Sequence, residues 1–101
     1  MNGVINKTDI KKKSGTTNLS GITWNRDGNV VNISILGYTA ATVNTNISIT
    51  GLPSPKGNAY QKTDIFSGGV WHGYIESYNG SWIIKMDTTS GMYGSLTYIT
   101  E

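Results

Sequence analysis

The chain has 101 residues, 37% of them hydrophobic, which suffices for one small domain around one core and leaves too little for a second. Its formal net charge of +2 rests largely on Lys11, Lys12 and Lys13, so the remainder is near neutral and offers no broad basic field for nucleic acid. The absence of cysteine excludes disulfides and thiolate metal sites, and no apolar run approaches the ~18 to 20 residues that a membrane helix needs.

Glycine is frequent, charged residues are sparse at 14%, and Ser, Thr and Asn are abundant, a composition that favours strands and turns over helices. Residues 1–20 scatter Val4, Ile5, Ile10 and Leu19 at irregular spacing, which predicts an arm or linker with at most a short strand near residues 4–10. Residues 21–101 form the predicted β-rich domain. Asp27-Gly28 lies between two alternating runs, and a two-residue loop there opposes Trp24 with Val31 and Ile22 with Ile33 on one face, with Thr23 and Asn32 on the other. A break follows at Gly37-Tyr38, then a strand over residues 44–50 with Ile47 and Ile49 on one side. The prolines and glycines of residues 51–57 predict a loop. Residues 59–66 read as a strand and Ser67-Gly68-Gly69 as a break.

Residues 70–87 carry the strongest signal, two alternating strands joined at Asn79-Gly80. Placing those two residues in the loop opposes Ser77 with Trp82, Ile75 with Ile84, Gly73 with Met86 and Trp71 with Thr88 on an apolar face. The other face pairs Glu76 with Ile83, Tyr74 with Lys85 and His72 with Asp87, gathering the sole histidine of the chain with two carboxylates, a lysine and a tyrosine. A last strand runs over about residues 92–100. Short strands at roughly 8 to 12 residue spacing predict an all-β fold, a small antiparallel sandwich or barrel.

The polar face suits a saccharide, whose hydroxyls need paired acceptors and donors and whose C–H patches need a flat ring. Asp87, Glu76, His72 and Lys85 supply the former and Tyr74 the latter, while an anionic polymer would favour His72 and Lys85. The plainer alternative is a solvated face whose cross-strand pairs contribute only ~0.2 to 1 kcal/mol each. Trp24 and Trp82 share faces with Ile and Val and are expected in the core, whereas Trp71 stands beside the Gly-Gly break, between core and rim. Tyr93 and Tyr98 suit a subunit seam, the core or the surface. Catalysis is not expected: His72 has no cysteine or nucleophile-elbow serine to activate, and Glu76 with Asp87 is a pair that any hairpin face can offer. No cofactor or metal motif is present, and the Lys11-Lys12-Lys13 run reads as a solvated tether.

The order of parts in residues 21–101 resembles a known family. Gly21-Ile22-Thr23-Trp24 before Asp27-Gly28-Asn29, Gly51-Leu52-Pro53 with Pro55, Ser67-Gly68-Gly69 before an aromatic-rich strand, a strand holding Trp82, and the closing run Tyr93-Gly94-Ser95-Leu96-Thr97-Tyr98-Ile99-Thr100-Glu101 are similar to the C-terminal head domains of phage tail-fibre and baseplate receptor-binding proteins, those of phages of Gram-positive bacteria above all. The resemblance implies a homotrimeric head on the virion tail tip or baseplate, contacting other tail proteins through a neck joined at residues 1–20. It implies recognition of a bacterial cell-wall saccharide or teichoic-acid-like polymer, without catalysis, nucleic-acid binding or membrane insertion. It maps the sugar contacts after the Gly-Gly break onto Trp71, His72 and Tyr74. Two alternatives stand beside it: a structural module for trimer closure or docking within a tail, and a carbohydrate-binding module of a secreted polysaccharide-degrading enzyme.

Overall fold

The computed structural model describes residues 12–101, whose strands are β1 (Lys12–Thr16), β2 (Ile22–Asp27), β3 (Val30–Tyr38), β4 (Ile47–Ile49), β5 (Gln61–Ser67), β6 (Val70–Tyr78), β7 (Ser81–Met86) and β8 (Met92–Ile99). Three tight turns follow from residues that tolerate positive φ. Gly68 and Gly69 lie at +59° and +81°, and Asn79 and Gly80 at +51° and +82°. Positive φ at both central positions is what a type I′ hairpin turn requires, and its twist matches that of the strands it joins. The Gly-Gly expected as a break is therefore itself a hairpin turn, closing Ser67 onto Val70.

The β2–β3 turn differs from expectation by one residue. It is Gly28-Asn29, because Gly28 takes the left-handed first position at φ +64° while Asp27 closes the ladder against Val30. Trp24 consequently faces Ile33 and Ile22 faces Ile35. Each partner is two positions beyond the expected one, and since side chains alternate with period two, the apolar face is preserved.

The strands form two antiparallel sheets, ordered β1-β2-β3-β8 and β4-β7-β6-β5. Ile22, Val31, Ile33 and Ile35 from the first sheet meet Ile49, Ile65, Ile75, Ile84 and Met86 from the second in one buried core. Each such side chain taken from water stabilises the fold by roughly 1.5 to 3 kcal/mol. Trp82 and Tyr98 join the sheets, ring centroids 5.1 Å apart, and the Tyr98 hydroxyl donates to the Pro53 carbonyl at 2.6 Å. Burial pushes the Tyr98 phenol well above its ordinary range, Arg26 opposing weakly. With Thr100 donating to the Ser54 carbonyl and bridging to Pro55, these contacts fasten the proline-rich loop to the end of β8.

One flank is formed by β5 and β8 lying side by side. At the other, Asn18 donates from its backbone N–H and Nδ2 to the Thr50 and Ser48 carbonyls and accepts from the Thr50 N–H at 2.8 Å. Among the described residues no ladder joins the two sheets, so they form a sandwich and not a closed barrel.

Further differences from the sequence reading are local. Lys12–Thr16, inside the stretch expected as an arm, pairs with β2 as an edge strand; the possible strand at residues 4–10 lies outside the described residues. The strand expected over 44–50 shortens to Ile47–Ile49, since Asn44 turns left-handed at φ +54°. Trp24, expected in the core, packs against it and is half-buried, its indole filling the space beside its cross-strand neighbour Gly15 on β1.

Candidate functional site

Buried Ile65 on β5, Ile75 and Ser77 on β6, and Ile84 and Met86 on β7 fix the inner face of the second sheet. Alternation then turns Lys62 and Asp64, Tyr74 and Glu76, and Ile83, Lys85 and Asp87 outward. The β6–β7 ladder pairs Tyr74 with Lys85 and Glu76 with Ile83, the register that the Asn79-Gly80 turn predicts.

Trp71 departs from its expected place opposite Thr88 on the apolar face. Ile65 pairs with Gly73 but the next residue, Phe66, pairs with Trp71, so His72 is the extra residue of a β-bulge. The bulge shifts alternation by one and brings Trp71 to the outer face, 45% exposed, with its ring 6.4 Å from Tyr74 at an interplanar angle of 28°. Gly73 makes this possible. Its φ of +152° strains any L side chain, and a Cβ there would strike the Lys85 carbonyl oxygen and crowd Met86.

The six residues expected at the site therefore share one surface: Trp71, His72, Tyr74, Glu76, Lys85 and Asp87. The fold adds Tyr60, Lys62 and Asp64, which sequence reasoning missed. Each carboxylate of the face is held by a ring. The Trp71 Nε1–H donates to Asp64 Oδ1 at 3.0 Å, the Tyr60 hydroxyl donates to Glu76 Oε2 at 2.5 Å, and His72 Nδ1 lies 2.9 Å from Asp87 Oδ1. The Lys62 ammonium sits 4.6 Å from the Tyr74 ring centroid, a cation–π contact. The hydrogen bond to the Glu76 carboxylate raises the Tyr60 phenol to about 12, with lesser contributions from desolvation and nearby charge.

The signal for the missed residues was present. Gly68-Gly69 is a two-residue hairpin loop, and with Ile65 inward it sets Lys62, Asp64 and Phe66 outward beside the β6 residues.

The arrangement is an exposed Trp71 ring stacked beside the half-buried Tyr74 ring and edged by carboxylates, each with one oxygen engaged and one without a hydrogen bond among the described residues. The concave surfaces around Ser54 and Thr100, around Lys13 and Arg26, and around Thr50 and Trp82 all lie off this face. Such a platform can stack on an apolar ring face while accepting from hydroxyls at its edge. Comparison of the chain with protein-family models, with curated proteins and with solved structures returns no match.

Proposed function

We propose that this protein is a non-catalytic adhesion head that binds a bacterial cell-surface saccharide on the outer face of the β5–β6–β7 sheet. The observation that carries the reading is the exposed Trp71 ring beside half-buried Tyr74, with Asp64, Glu76 and the His72–Asp87 pair at the edges. Pyranose rings offer an apolar face to the rings and hydroxyls to the free carboxylate oxygens. In this reading the head sits at the tip of a phage tail as a homotrimer, the setting implied by the family resemblance. Several weak sites acting together give firm attachment, so one shallow site suffices. The test is binding of the full chain to cell walls of Gram-positive bacteria, with Trp71→Ala and Tyr74→Ala expected to abolish it while the circular dichroism spectrum stays unchanged. Retained binding by both variants defeats the proposal.

A second reading, a module for trimer closure or docking within a tail, is favoured by another surface. On the outer face of the first sheet the cross-strand pairs Val30–Ile99 and Leu36–Tyr93 are exposed, Leu36 by 63% and Tyr93 by 66%. Wall binding by the intact assembly separates the two: in the second reading the protein binds no cell wall, and Leu36→Lys lowers its solution mass by dissociating the assembly.

A further inference from the structure

The three ring–carboxylate pairs are spread along the strands. Trp71 with Asp64 and His72 with Asp87 stand near the Gly68-Gly69 turn, while Tyr60 with Glu76 stands toward the opposite end of β6. From Tyr60 to Phe66, both more than half exposed, the chain advances six residues, about 20 Å at ~3.3 Å per residue. That length exceeds any monosaccharide. Across the strands the polar row is interrupted, because Glu76 is followed on β7 by Ile83. Recognition of a chain end needs walls that close around the terminal hydroxyls, and the described residues supply none: the strip ends in exposed Val70 on one side and exposed Tyr60 on the other.

We propose that the ligand is an internal stretch of a linear polysaccharide lying lengthwise along β5 and β6. This rests on the saccharide reading given above. Sugars stack first on the exposed Trp71 ring, with Tyr74 beside it, the outward oxygens of Asp64 and Glu76 accept from hydroxyls of successive units, and Tyr60 forms the far subsite. Tyr60 is a specificity-determining residue for chain length, because only a ligand that spans the strip reaches it.

The experiment uses the wall polysaccharide of a Gram-positive strain that the full chain binds, partly hydrolysed and sorted by length from monosaccharide upward, with titration calorimetry against wild type, Tyr60→Ala and Trp71→Ala. Affinity is expected to rise with length and then level off, and the monosaccharide fails to compete. Tyr60→Ala weakens long fragments about tenfold, a change equivalent to ~1.4 kcal/mol, and leaves the shortest binding fragment unaffected, whereas Trp71→Ala weakens every length. Competition by the monosaccharide as strong as by the polymer overturns the lengthwise mode, as does an equal loss at all lengths in Tyr60→Ala. Failure of every wall polysaccharide to bind wild type overturns the saccharide reading itself.

Discussion

Gly73→Ala tests the bulge that brings Trp71 to the outer face of the second sheet. At φ +152° an L residue is held outside its allowed regions, a strain of order 1 to 3 kcal/mol. The added Cβ also meets the Lys85 carbonyl, the Met86 Cα at 2.9 Å and the Met86 sulfur at 2.7 Å. Two of these are backbone atoms of the paired strand and cannot step aside, so overpacking adds roughly 1 to 3 kcal/mol. The sum, about 2 to 6 kcal/mol, is a large share of the 5 to 15 kcal/mol typical of a domain. Gly68→Ala is the control. It also imposes a left-handed residue, at φ +59°, but its Cβ meets nothing within 4 Å, and the cost is confined to roughly 1 to 2 kcal/mol. Urea denaturation of both variants, with m-values compared to establish a common unfolded state, measures the difference. Gly73→Ala as mild as Gly68→Ala would show that β6 does not press on β7 at the bulge and that Trp71 owes its direction to something else.

Ile84→Ala, which empties a fully buried position facing Ile75 and Ile47, is expected to cost about 2 to 5 kcal/mol by denaturation, and a cost under 1 kcal/mol would contradict the packing. Spectrophotometric titration should find one tyrosine ionising near 12, and Glu76→Gln should return it toward the ordinary value of about 10, since the carboxylate is the main cause of the shift. Tyr98 has its folded pKa raised by burial, so the stability it lends is complete below pH ~10 and is lost as pH rises above that value. Tyr98→Phe should accordingly lower stability at neutral pH by about 1 kcal/mol through the lost bond to Pro53. It should also flatten the alkaline decline, and an unchanged alkaline profile refutes the assignment.

Much of the sandwich is legible in turn residues and alternation. Asn79-Gly80 specifies both its loop and the six-pair ladder that follows, and buried Trp82 and Ile84 follow from that register. Asp27-Gly28 names the right hairpin but the wrong loop residues, because either of two adjacent pairs containing Gly28 satisfies the pattern, and only the backbone decides which position glycine takes. The bulge at His72 was not legible: an extra residue leaves no mark on a hydrophobic pattern when the next inward position is a glycine without a side chain. That omission placed Trp71 on the wrong face. Which sheets face one another depends on contacts between residues far apart in the chain, such as Trp82 with Tyr98, and local patterns do not encode them.

The two outer faces of the sandwich use the same backbone for different surfaces. On the first sheet, Ser14, Asn25, Asn32 and Thr97 form one row across the strands and Thr16, Thr23, Ser34 and Ser95 the next. These rows are uncharged and ringless and partly satisfy themselves, as where Asn32 Nδ2 donates to Thr97 at 2.9 Å. On the second sheet every ring and charge of the candidate site comes from the single meander of residues 60–87, whose two type I′ turns set its registers. The site is therefore local in sequence, although the inner face beneath it is buried only against the first sheet. Its rings are already hydrogen-bonded to their carboxylates or stacked on one another, so binding a ligand orders little that is not ordered beforehand. On the proposed saccharide reading, preorganisation of that kind compensates for the shallow area of an open strip.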